Sequence, residues 1–198
     1  CFVKEADVLY SKRIWRFLSR KNNPILFEEN RLFQLLNQQI LDSNIKSYDT
    51  SDDKFTKEFM PIIKNSAIEL IGFKIKEDFF FDMNRIVSET RSIGICPVAI
   101  NLDTKDTIDL YWVYFPEARE YLSQVKIEAK SIPSKIKTLD DLFFYRFFCS
   151  EIYKESNYYD RELPDHPNSK ESERVEINLI EKEHDIWISL TKTPSTSE

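Results

Sequence analysis

Apolar positions recur near a helical period in the first third of the chain and at a period of two in the middle. Over 7–19, Val8, Leu9, Trp15 and Leu18 recur with Lys12, Arg13 and Arg16 between them, which predicts an amphipathic helix ended by Lys21-Asn22-Asn23-Pro24. A second helix is predicted over 31–42, with Leu32, Leu35, Leu36 and Ile40 on one stripe and Asn30 as its cap. After a polar loop at 48–53, a third helix is predicted through Phe55 to Phe59. Pro61 then interrupts the pattern before Ile68 to Ile71.

Beyond Asp82 the period shortens. Arg91, Ile93 and Ile95 alternate with Thr90, Ser92 and Gly94, which predicts a half-buried strand closed by Pro97. Residues 110–115, Leu-Tyr-Trp-Val-Tyr-Phe, are apolar on both faces and predict an inner strand covered on both sides. The two strands make a long hairpin.

Pro116 stops the second strand and opens a helix to about Val125, with Glu117 and Glu120 near its positive end. Thr138-Leu-Asp-Asp141 has capping-box spacing and predicts a helix from Leu139 to about Lys154. From Leu142 to Cys149 only Arg146 is charged, so that helix is expected to be buried on several sides, either inside the domain or against another subunit. A last helix covers about 171–185 and is followed by Ile186 to Leu190. The expected fold is therefore α+β: a mostly helical single domain over 1–190, with a small antiparallel sheet built on a long hairpin at about 86–100 and 110–115. A Thr/Ser/Pro-rich, disordered-looking tail follows at 191–198.

Composition narrows the function. The formal charge of −6 disfavours a phosphate-binding surface, which needs a basic excess. Gly72 and Gly94 are the only glycines, so neither a P-loop nor a GxGxxG cradle exists. Cys1, Cys96 and Cys149 have no zinc spacing. Cys149 lies in an apolar run and reads as a buried thiol; pairing with Cys96 is the alternative in an oxidising compartment. A start at Cys1 admits acylation there or a chain that begins there for other reasons, and the short spacing to Asp7 favours the second. No apolar run is long enough to span a bilayer.

Chemistry is sparse. HExxH, GxSxG and SxxK are absent. Glu183-His184-Asp185 reads as a solvated helix face, because adjacent helical positions point about 100° apart, and His166 falls in a loop. No catalytic residue, metal ligand or cofactor is expected. Residues 1–21 hold six Lys/Arg against Glu5 and Asp7, while 155–185 hold ten acids against four bases. Ordinary surface charge explains this; a head-to-tail contact between subunits is the sharper alternative.

Several stretches together resemble the GldN/PorN family of the gliding-motility and type IX secretion machine. They are Asp7-Val-Leu-Tyr-Ser-Lys-Arg-Ile-Trp-Arg16, Glu77-Asp-Phe-Phe-Phe-Asp82 with Arg85, Arg91-Ser-Ile-Gly-Ile-Cys-Pro97, Trp112-Val-Tyr-Phe-Pro-Glu-Ala-Arg119, Leu139-Asp-Asp-Leu-Phe143 with Arg146, Lys154-Glu-Ser-Asn-Tyr-Tyr-Asp-Arg161, and Glu183-His-Asp-Ile-Trp187. The resemblance implies a non-enzymatic periplasmic subunit that assembles with a GldK/PorK-type lipoprotein into a ring under the outer membrane. A non-ring binding or regulatory module is the alternative, and a hydrolase ranks behind both. The partner surface is expected at Trp112, Tyr114 and Arg119, at Phe144 and Phe148, and at Tyr158, Tyr159 and Arg161, because Tyr, Trp and Arg concentrate at interface hot spots.

Overall fold

A computed structural model describes residues 5–52, 54–61, 68–128, 132–156, 163 and 170–191. It corrects the expected architecture. The chain is built on an antiparallel seven-strand sheet, with 36% of residues in strands and 34% in helices, so it is not a mostly helical domain carrying a small sheet. The strands are β1 (Val8–Ser19), β2 (Ser47–Tyr48), β3 (Ile68–Asp82), β4 (Val87–Asn101), β5 (Thr107–Asp109), β6 (Trp112–Tyr114) and β7 (Glu151–Glu155). Their order is β2-β6-β4-β3-β1-β7, with β5 also pairing with β4. The helices are α1 (Arg31–Leu41), α2 (Phe115–Leu122), α3 (Leu139–Phe144) and α4 (Lys170–Thr191).

The corrections have local causes. Residues 8–19 are not a helix but β1, and the charges that suggested a solvated helix face are taken up across neighbouring strands. Lys12 pairs with Glu155 of β7, and Arg13 grips Asp78 of β3 at 2.7 and 2.9 Å. The predicted restart at Ile68 is the beginning of β3, whose period of two is hidden because Phe79, Phe80 and Phe81 are buried in succession. Residues 55–59 hold no helix: Phe55 has φ 55° and Glu58 bridges Tyr48.

The long hairpin joins β3 to β4, not β4 to residues 110–115. Its turn is held by Asp82, which accepts from Asn84 N at 2.9 Å and from Arg85 Nε at 2.6 Å. β4 also runs through Pro97 rather than stopping there. The predicted partner does lie beside it, in a short register of Gly94 with Tyr114 and Ile95 with Val113. That partner, β6, is not covered on both sides, since Trp112 and Val113 are buried and Tyr114 is exposed.

The chain divides into two compact units, Cys1–Trp15 with Glu77–Arg91 and Glu151–Glu198, and Arg16–Lys76 with Ser92–Ser150. In the first unit Ile14, Phe79, Ile152, Val175 and Leu179 form the core. There α4 continues unbroken through Ile186 to Leu190, a stretch expected to lie outside the last helix. The second unit has the larger core, in which Leu32, Leu36 and Ile40 of α1 pack with Phe73, Ile75, Ile95 and Tyr111. α1 matches its predicted span, but Asn30 sits at φ 53° and its side chain makes no cap bond. The predicted tail beyond Thr191 lies outside the described residues.

Candidate functional site

In the second unit α2 begins with Pro116 in its first turn, where a missing N–H removes nothing. α3 is opened by the predicted capping box: Thr138 Oγ1 accepts from Asp141 N at 3.2 Å, and Asp141 Oδ2 accepts from Thr138 N at 2.9 Å. The backbone N–H of Lys137, also donated to Asp141, holds that carboxyl below its ordinary range. Arg119 of α2 grips Asp140 of α3 in a two-pronged pair, with both bonds at 2.8 Å.

The helix expected to reach Lys154 ends at Phe144. Arg146 takes φ 52°, a left-handed conformation that ends the helix without glycine, and Phe147 N donates back to Leu142 O at 2.8 Å. The chain then leaves toward β7. Consequently the apolar run is not buried inside the domain: Phe144 is 66% exposed, Tyr145 41% and Phe147 39%.

These rings form a ledge. Phe144 and Tyr145 meet edge to face at 5.0 Å, and Lys135 Nζ lies 4.2 Å above the Tyr145 ring. Phe148 turns inward onto Phe143, with Arg146 5.3 Å over its ring. A groove of about 290 Å³ separates Phe147, Phe148 and Cys149 from Asn22 to Leu26. Cys149 is exposed, not buried as expected, because the turn at Arg146 takes it out of the helix; Cys96 is buried, and both thiols are free. Burial pushes the Cys96 thiol up.

A second aromatic cluster lies around Trp112. The Lys76 ammonium sits 4.6 Å from the Phe55 ring and 4.8 Å from the Trp112 ring, and Lys76 is fully buried. Tyr114 meets Phe55 at 5.4 Å. Trp112 is therefore a core residue, and Tyr114 is the member of this strand that reaches the surface.

Of the residues expected at a partner surface, Phe144, Tyr114 and Arg119 are exposed, Phe148 is half-buried and Trp112 is buried. Tyr158, Tyr159 and Arg161 lie outside the described residues, as does His166. Tyr145, Phe147 and Lys135 were missed, because a run apolar all round reads as core when nothing marks the turn within it.

His184 is exposed on α4, and its neighbour Glu183 accepts a hydrogen bond from Ser88. Among the described residues no three His, Cys, Asp or Glu side chains converge as a metal site, and no helix is long and apolar enough to cross a membrane.

No curated protein matches the chain. The family model described as Gliding motility associated protein GldN matches residues 3–67 and 61–188, nearly the whole length. The chain therefore belongs to the GldN family, structural components of gliding motility and the type IX secretion machinery.

Proposed function

We propose that this chain is a non-catalytic subunit of that machinery, placed in the periplasm, where it assembles with a GldK/PorK-type lipoprotein into a ring at the outer membrane. The observation that carries the reading is the ledge of Phe144, Tyr145 and Phe147, held in solvent by the turn at Arg146, which the backbone bonds of Arg146, Phe147 and Cys149 define. Covering apolar surface is worth about 25 cal/mol per Å², and aromatic rings with a neighbouring Arg are typical of interface centres. Arg119 and Tyr114 supply polar and aromatic groups from α2 and β6 of the same unit.

Co-expression with a candidate lipoprotein tests this. Phe144→Ala combined with Phe147→Ala is expected to lose co-purification while keeping the parent's unfolding midpoint. Unchanged co-purification would remove the ledge from the interface. Mass measurement on the particles separates a ring subunit, present in many copies, from a peripheral module present in few.

A further inference from the structure

α4 carries apolar residues on two opposite faces. Val175, Leu179 and Ile186 are buried in the core of the first unit, and beside them Ser172 Oγ accepts from Ile152 N–H at 3.0 Å. On the other face Ile177 is 52% exposed, Ile180 63% and Trp187 50%. Ile177, Ile180, His184 and Trp187 follow at intervals of three, four and three residues, the seam spacing of helices that pack along their length. The outward face of a surface helix is ordinarily polar. Here it is aliphatic and aromatic for about 15 Å, at 1.5 Å rise per residue.

Charge indicates what covers it. α4 holds six acids against three bases; Glu176, Glu181 and Glu183 flank the seam with Arg174, and Glu173 continues its line one turn before Ile177. Two of the bases are engaged within the unit: Arg174 pairs with Glu171 at 2.7 Å, and Lys182 lies 5.9 Å from the Tyr10 ring. A second copy of α4 would bring the same acidic excess to the contact in either direction, and an anionic lipid surface would be repelled by that excess in the same way. The basic residues of β1 do not supply the complement from a second copy, since Lys12 and Arg13 are paired with Glu155 and Asp78 and Arg16 is buried.

We infer that the outward face of α4 docks a basic amphipathic helix of another protein, with aliphatic residues on its seam and Lys or Arg beside them. This rests on the chain acting as a binding subunit, and it adds a contact made by residues other than those of the aromatic ledge.

The test uses the full chain and two synthetic helical peptides of about three heptads, with Leu on the seam and either Lys or Glu beside it. Trp15 and Trp112 are buried, so acrylamide quenching of tryptophan fluorescence reports chiefly on Trp187. The Lys peptide is expected to protect Trp187, and Ile177→Glu with Ile180→Glu to weaken its binding at least about tenfold. Glu173→Lys with Glu181→Lys is expected to weaken the Lys peptide and admit the Glu peptide, a switch that loss of folding does not imitate.

Several results would overturn the inference: no protection by either peptide, equal binding of both, or indifference to the charge reversal. A dimer in sedimentation that Ile180→Glu abolishes would assign the face to a second copy instead. Binding to phosphatidylglycerol vesicles through this face would assign it to lipid. Lipoprotein co-purification, scored separately on the same variants, distinguishes failure here from failure of the ring reading.

Discussion

The side-chain amide of Asn23 pairs with both backbone groups of Cys149: Oδ1 accepts from Cys149 N at 2.7 Å, and Nδ2 donates to Cys149 O at 2.8 Å. A buried side chain thereby does what a neighbouring strand would do, and it fixes the segment that follows the aromatic ledge. Asn23→Ala is expected to destabilise the protein by about 1–3 kcal/mol, because two partly buried backbone groups lose their partners together. Urea unfolding gives the magnitude, and hydrogen exchange at Cys149 gives the location. An unchanged exchange rate would show that the clamp is not needed.

Both glycines lie in strands under aromatic rings. A Cβ on Gly72 would stand 2.4 Å from the Phe17 ring and 2.9 Å from the Leu18 carbonyl oxygen. Gly72→Ala is therefore expected to cost about 1–3 kcal/mol through overpacking. Phe17→Leu in the same chain should recover part of the loss, and a neutral Gly72→Ala would contradict the geometry.

Phe144 meets solvent over most of its surface, so Phe144→Ala should leave stability within about 0.5 kcal/mol. Its effect is expected on lipoprotein co-purification alone. A large fall in the unfolding midpoint would show that the ring supports the fold instead.

The two described thiols should react at different rates. Cys149 is exposed and Cys96 fully buried, with burial also pushing the Cys96 thiol up. Iodoacetamide on the native chain, mapped by digestion and mass, is expected to modify Cys149 well before Cys96. Equal labelling would mean that β4 opens readily.

The β3–β4 turn should make stability depend on pH. The Arg85 side chain, with backbone N–H groups of Arg85 and Asn84, holds the Asp82 carboxyl below its ordinary range, and Arg85 with Arg91 does the same for Glu89. Lowered folded-state values mean stabilisation that is fully present above about pH 4–5, the unfolded range, and lost as pH falls through the folded values. Asp82→Asn is expected to lower the unfolding midpoint at pH 7 and to flatten its decline toward pH 3. Parallel curves for the two proteins would argue against it.

The local signals read well. Thr138 and Asp141 close their capping box within four residues of chain, Pro116 sits in the first turn of α2, and the apolar stripe of α1 needs only its own period. Family membership was legible for a different reason: matching segments recur in order along nearly the whole chain.

Of the expected partner surface, Phe144 is exposed in the chain, and what exposes it is not legible locally: Arg146 turns the chain at positive φ with no glycine to announce it. Trp112 shows the reverse, since an interface type of residue lies in the core over Lys76.

By itself, then, the sequence determined the family, the starts of α1, α2, α3 and α4 and the apolar stripe of α1, all of which depend on residues close in the chain or on the order of segments. Only the tertiary structure decided that 8–19 and 68–82 are strands, where Lys12 and Arg13 find their partners, and which rings face solvent. A strand acquires its hydrogen bonds and its buried face from other strands. Such partners lie far off in the chain, as Lys12 of β1 and Glu155 of β7 do here, and no local period records them.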